Sequence, residues 1–285
     1  MVASALRAHH PGLAISIHTM TTKGDNEQGK DLAAWGYKGL FTRELEDALL
    51  LGQIDIAVHS MKDMPSELPG ELSIAAILPR DDVRDAWISP HHETIEALPK
   101  GGVVGTSSVR RAAQLKRLRP DIQIIPFRGN VGTRLEKLAS GLADATFLAA
   151  AGLDRLGLGQ HIRTRIPVTH MCPAVAQGAI GVEARTQNTR IAMLLAPIHH
   201  TLTAQQVTAE RAMLRVLDGS CRTPIGAHTH IEGDTLTLYG EILAPDGSAH
   251  LAETLKGRAE DAEAIGAALG ESLRARAPAS MRKQA

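Results

Sequence analysis

The chain has 285 residues, 44% hydrophobic but only 2% aromatic, so its cores must be aliphatic and alanine-rich. At about 100–200 residues per domain, that length implies two or three domains. Thirty-one Lys and Arg balance 31 Asp and Glu, which excludes the basic excess of a general nucleic-acid binder.

Further exclusions come from particular residues. Two cysteines, Cys172 and Cys221, make neither a disulfide framework nor a CxxC zinc pair. No apolar run approaches the roughly 18 residues that span a membrane, and residues 1–7 lack the apolar core of a signal peptide. A cytoplasmic protein with no nucleic-acid or membrane partner is the expectation. The doublets His9-His10, His91-His92 and His199-His200 point their rings apart on any regular element, so no metal site is expected.

In chain order, residues 14–20 read as a strand. Residues 38–51 carry apolar side chains at helical spacing, closed by Gly52. Strands follow at 54–59 and 72–78. A second set begins near Ala86: a strand ending at Val103-Val104, a helix over 106–119 stopped by Pro120, a strand at 122–127, a helix at 134–142 and a strand at 145–149. Strand alternating with helix implies βαβ units and a largely parallel sheet. Residues 173–185 read as a helical stretch returning the chain to the first domain. Beyond Ala204 the pattern changes to a helix at 208–217, strands at 224–231, 235–243 and 249–256, and a closing helix at 260–277. Pro245-Asp246-Gly247-Ser248 is a hairpin turn between the last two strands.

Open α/β sheets bind ligands beyond the carboxyl ends of their strands. Those ends carry Ser60, Lys62 and Asp63; Thr106, Ser107, Ser108, Arg110 and Arg111; Arg128 and Arg134; and Arg155. Arg110 and Arg111 fall in the first turn of a helix, where the macrodipole disfavours cations by about 0.3–1 kcal/mol each. Helix stability does not explain them; an anion site does. Asp63 taken alone reads as an ordinary turn residue beside Lys62. Cys221 lies on a Gly-flanked loop beside Arg222, which favours a reactive thiol over an inert buried one. Cys172 has no basic neighbour in sequence and is expected to be dispensable.

Several consecutive motifs resemble the porphobilinogen deaminase (hydroxymethylbilane synthase) family. They are Lys38-Gly-Leu-Phe-Thr-Arg-Glu-Leu-Glu46, His59-Ser-Met-Lys-Asp-Met-Pro65, Gly105-Thr-Ser-Ser-Val-Arg-Arg111, Arg128-Gly-Asn-Val-Gly-Thr-Arg134, Ala151-Gly-Leu-Asp-Arg-Leu-Gly157, Pro173-Ala-Val-Ala-Gln-Gly-Ala179 and Gly219-Ser-Cys-Arg-Thr-Pro-Ile-Gly226. The resemblance implies an α/β fold with two type II periplasmic-binding-protein-like domains and a small C-terminal α+β domain. Domain 1 would span 1–79 and 174–199, domain 2 would span 80–173, and domain 3, with the cofactor cysteine, 200–285.

It also implies a transferase that joins four porphobilinogen molecules head to tail, releasing ammonia. A dipyrromethane cofactor would be thioether-linked to Cys221, with Asp63 as catalytic carboxylate. Ser60, Lys62, Thr106, Ser107, Ser108, Arg110, Arg111 and Arg134 would hold the cofactor, and Arg128 and Arg155 the substrate. A monomer acting on a small molecule is expected. Family members begin with a strand and a helix start carrying Arg-x-Ser-x-Leu-Ala, whereas here Met1 falls inside that helix. The expectation is a shortfall of roughly twenty residues, a strand and a turn, leaving this chain less stable and weakly active or inactive. The alternative reading is a non-catalytic small-anion binding protein of the same fold.

Overall fold

The computed structural model describes residues 1–20, 42–217, 223–278 and 281. The chain forms two compact units, Met1–Arg80 with Ala179–Ala204, and Asp81–Gly178 with Gln205–Ala285.

The first unit opens with α1 (Val2–His9), whose Val2 and Leu6, one turn apart, are its buried residues. Helix α2 (Arg43–Leu50) follows, with Glu44 and Glu46 in its first turn, where the dipole favours them. Gly52 in a left-handed conformation (φ 70°) ends it. Strands β1 (Ile56–Ser60) and β2 (Leu72–Ile77) come next.

At Asp81 the chain enters the second unit and forms β3 (Asp85–Ile88), β4 (Val103–Gly105), α3 (Val109–Leu118), β5 (Gln123–Ile125), α4 (Val131–Ala139), β6 (Ala145–Ala149), α5 (Ala150–Arg155) and β7 (Thr164–Arg165). It then returns to the first unit as β8 (Ile180–Arg185) and α6 (Thr189–Leu195). Helix α7 (Thr201–Val216), strands β9 (Ile225–Glu232), β10 (Thr235–Leu243) and β11 (His250–Arg258), and α8 (Ala262–Arg276) follow, in the second unit from Gln205 onward.

The sheet of the first unit runs β1-β8-β2 with both pairings antiparallel. The helical reading of residues 173–185 is therefore corrected: their second half is the central strand. Alanine and glutamate favour a helix there. Burial wins instead, because Ile180, Val182 and Ala184 lie on one face and fill the core with Ala76, Leu78 and Leu195. Left-handed backbone at Ala176 (φ 59°) and Gly178 (φ 85°) breaks any helix beforehand. Residues 14–20 are not a strand either. They have no ladder partner among the described residues, and Ile17 is exposed.

The second unit holds a five-stranded sheet, β5-β4-β6-β3-β7. Only β4 with β5 and β4 with β6 are parallel; β3 runs antiparallel to β6 and β7. The expected largely parallel sheet is thus a mixed one. Alternation along β3 feeds two cores: Trp87 packs with Leu115 and Phe147 on one face, Ala86 and Ile88 with Phe127 and Leu153 on the other. A separate antiparallel sheet, β11-β10-β9, lies later in the same unit. The turn predicted at 245–248 joins β10 to β11, with Gly247 at φ 75°.

Gly105 ends β4 directly against the buried Phe127 ring, where a Cβ would collide with Cγ and Cδ2. Gly105→Ala is expected to destabilise the protein by about 1–3 kcal/mol through forced repacking. Chemical unfolding checks this, and an unchanged midpoint would mean the ring yields freely.

Candidate functional site

Because β4, β5 and β6 are parallel, the segments after them emerge on one edge of the sheet. The first is residues 106–108. Its side chains satisfy backbone rather than extend the helix, which is why α3 starts at Val109 and not at Thr106. Thr106 Oγ1 accepts from Ser108 N at 3.2 Å, and Ser107 Oγ accepts from Phe127 N at 2.9 Å. Ser108 caps α3 by accepting from Arg111 N at 3.4 Å. The Ser107 bond ties this segment to the one bearing Arg128. There Gly129 is left-handed (φ 120°), Lys137 Nζ donates to Arg128 O at 2.8 Å, and Asn130 caps the helix carrying Arg134.

Arg110 and Arg111 turn inward. Both are buried, and both meet Asp85, which has no exposure at all. Arg110 Nη2 donates to Asp85 Oδ2 at 2.8 Å; Arg111 donates to Oδ1 from Nη2 at 2.6 Å and from Nε at 3.2 Å. Gln177 Nε2 adds a bond to Oδ1 at 2.9 Å. The remaining donors reach main chain: Arg110 Nη1 to Cys172 O at 2.5 Å and Arg111 Nη1 to Phe147 O at 3.0 Å. Burial by itself would raise the Asp85 carboxyl. The charges of Arg110 and Arg111 and the bonds from Arg111 and Gln177 outweigh it and hold the group well below the carboxylate range. The two arginines that helix stability could not explain thus have a protein anion as partner.

Arg155 has a different setting. Its Nε donates to Asp81 Oδ2 at 2.8 Å and its Nη2 to Gly178 O at 2.7 Å, with side-chain exposures of 21% for Arg155 and 39% for Asp81. Next to it, Asp82 accepts from Arg84 and Arg165. Burial opposes ionisation of Asp82, but the Arg84 and Arg165 bonds lower its carboxyl to about 2.

In the first unit, Ser60 ends β1, and Lys62 and Asp63 sit in the 3-10 turn Met61–Asp63, with Asp63 exposed. Beneath them, His59 Nε2 and Glu183 Oε2 are 2.8 Å apart and buried. Cys221 lies outside the described residues. Cys172 is buried, and burial, then the Glu241 charge, push its thiol well up, away from reactivity. It has no basic neighbour in sequence, but in the fold Arg110 holds its carbonyl. The reading from strand ends missed Asp81, Asp85 and Gln177. For Asp85 one signal existed: two first-turn arginines require an anion, and a carboxylate opening an apolar strand can supply it.

Among the described residues no cluster suits a metal ion, and no helix is long and apolar enough to cross a membrane. Residues 1–193 match the family model "Porphobilinogen deaminase, dipyromethane cofactor binding domain", and residues 204–275 match "Porphobilinogen deaminase, C-terminal domain". The chain belongs to the porphobilinogen deaminase family. Among its relatives, the porphobilinogen deaminase of Paracoccus denitrificans (strain Pd 1222) is 54% identical over 266 residues, 93% of this chain and 85% of that protein. That of Thiobacillus denitrificans is 48% identical over 272 residues, 95% of this chain and 89% of that protein. Among solved structures, a periplasmic substrate-binding protein of a Coxiella burnetii ABC transporter is similar with a TM-score of 0.43 at 13% identity, over 73% of this chain and 90% of its own.

The family's cofactor-binding domain needs groups that fit acid-bearing pyrroles. The carboxyl edge has the right donor chemistry: hydroxyls at 106–108 and arginines at 128 and 134. Arg110 Nε is also buried with no acceptor among the described residues, which fits a further carboxylate.

Removing the Asp85 charge should be costly, because it strands two buried guanidiniums. Asp85→Asn is expected to lose about 3–5 kcal/mol at neutral pH. The folded carboxyl sits below its ordinary 3.8, so this stability is fully present above that pH and is lost as pH falls towards the folded value. Urea unfolding of parent and variant should show a gap at pH 7 that narrows in acid. A small gap, or one constant with pH, would contradict the assignment.

Proposed function

We propose that the residues at these strand ends and loops carry the family's reaction in this chain. The protein is a transferase, a hydroxymethylbilane synthase of tetrapyrrole biosynthesis, and its substrate is porphobilinogen. In each coupling the aminomethyl C–N bond of porphobilinogen breaks and ammonia leaves. A C–C bond then forms to the free α-carbon of the growing chain, whose α-proton is lost. Four such units give the linear tetrapyrrole. The observation that carries this reading is the family match across residues 1–193 and 204–275. It offers no support to a non-catalytic anion-binding role.

The dipyrromethane, once bound, supplies the α-carbon to which the first unit is joined. Cys221 holds it through its sulfur. Asp63 steadies the cation that develops as ammonia departs and the pyrrole N–H groups beside it; its exposure in the turn after β1 leaves the carboxylate accessible. Ser60, Lys62, Thr106, Ser107, Ser108, Arg110, Arg111 and Arg134 hold the cofactor, the basic residues among them its acid groups. Arg128 and Arg155 receive acetate and propionate groups of incoming substrate, for which the bidentate guanidinium is suited. The proposal extends to three domains, with residues 200–285 as the third, and to a monomer in the cytoplasm, where a free thiol stays reduced.

Two variants test the roles. Cys221→Ser is expected to abolish the covalent adduct seen by intact mass, and an adduct that survives would move the attachment elsewhere. Asp63→Ala is expected to lose about 10²–10³ in turnover, the usual cost of removing one preorganised electrostatic group, without loss of fold. Ammonia release near the parent rate from a folded Asp63→Ala protein would remove Asp63 from the chemistry.

A further inference from the structure

The segment entering the second unit carries three aspartates, and each holds at least one arginine. Asp85 holds Arg110 and Arg111, Asp82 holds Arg84 and Arg165, and Asp81 holds Arg155. Their burial differs sharply. Asp85 is fully buried and its two arginines nearly so, so no solute can exchange with that carboxylate without stranding charge. Asp82 is shared by two arginines, and Arg165 is also gripped by Asp154 through two bonds. Asp81 is bound more lightly. Its side chain is 39% exposed, and Arg155 meets it at one oxygen, Oδ2, which takes Nε at 2.8 Å and Nη2 at 2.7 Å while Oδ1 stays out of the pair.

Arg155 has a second anchor that does not depend on Asp81. Its Nη2 donates to Gly178 O, a neutral acceptor on the returning chain. Gly178 is left-handed and packs so closely on Asp81 that a Cβ there would lie 2.6 Å from Asp81 O. Asp81 N in turn donates to Gly178 O at 3.1 Å. The guanidinium therefore keeps its place if the Asp81 carboxylate swings away.

We propose that Asp81 is an internal competitor for Arg155: its carboxylate occupies the guanidinium until a carboxylate of the substrate displaces it. This rests on the reading that Arg155 receives substrate. The competitor has the same chemistry as the ligand, a carboxylate. A partly exposed ion pair biases its arginine by a factor of only about one to five, so substrate can win the exchange. The cost is a lower apparent affinity, because only the fraction of Arg155 not held by Asp81 is ready to bind. Asp81 thus keeps an arginine charge neutralised between substrates and weakens the hold on any one of them. A site that must pass a lengthening chain of acid groups gains from weak, exchangeable contacts.

The test uses the full chain carrying its cofactor, with Asp81→Asn, Arg155→Leu and the double variant. The readouts are KM and kcat for porphobilinogen and the rise in melting temperature caused by an unreactive probe. The probe is porphobilinogen with its aminomethyl group replaced by hydrogen. Asp81→Asn is expected to lower KM about two- to sixfold and to enlarge the probe's thermal shift, with kcat changing less than KM. Arg155→Leu should raise KM, and adding Asp81→Asn to it should then change nothing. A KM that rises in Asp81→Asn would make Asp81 a support for Arg155 and overturn the competition. An equal fall in KM with and without Arg155 would show plain repulsion of the substrate by Asp81, which also overturns it. An unchanged KM in Arg155→Leu would instead remove Arg155 from substrate binding and leave the rest of the functional reading standing.

Discussion

Asp85 meets two guanidiniums at a place almost closed to solvent. A carboxylate buried there without partners would lose its charge, and two arginines buried without an anion would not remain. Each group makes the others tolerable, so the three must be placed together. That requirement binds the start of β3, the first turn of α3, the middle of β6 through Phe147 O and the return segment through Cys172 O and Gln177. Gln114 reinforces it from the next turn of α3, donating to Cys172 O and accepting from Cys172 N. The helix that opens after residues 106–108 is thereby locked to the strand by which the chain enters the unit and to the segment by which it leaves.

The same entering segment sorts arginines by how firmly they are held. Burial of the aspartates falls from Asp85 through Asp82 to Asp81 over five residues. The guanidiniums that Asp85 holds are committed to the fold, with donors on its carboxylate and on main chain. An ion pair open to solvent, such as Asp81 with Arg155, is one that can exchange. Electrostatic preorganisation and exchange are normally at odds, and here the difference in solvent access along one stretch of chain separates them.

Much of this was legible in the sequence. The period of β10, the turn at 245–248 and the helix after Ser108 all obey local rules, and the structure places them close to where the pattern does. Motifs long enough to carry a resemblance identified the family, which the family models and relatives show. What failed did so where tertiary contacts decide. Residues 180–185 have a helix-compatible composition, and only the flanking strands β1 and β2 make them a strand. Residues 14–20 alternate well but have no ladder partner among the described residues. Asp85 stands 25 residues from Arg110 and 92 from Gln177, and no local periodicity reports a pairing at that distance. The arginines were visible, and their protein partner was not. Lys38 and Cys221 themselves lie outside the described residues.

In the proposed reaction the product grows by successive head-to-tail additions to a covalently held starter. Titrating the purified protein with less than four equivalents of porphobilinogen and recording intact mass immediately tests it most directly. The account predicts a starting mass above that of the bare polypeptide by one dipyrromethane, then discrete peaks each heavier by one porphobilinogen less ammonia. A protein that stays at the bare polypeptide mass, or consumes porphobilinogen with no such series, would contradict it.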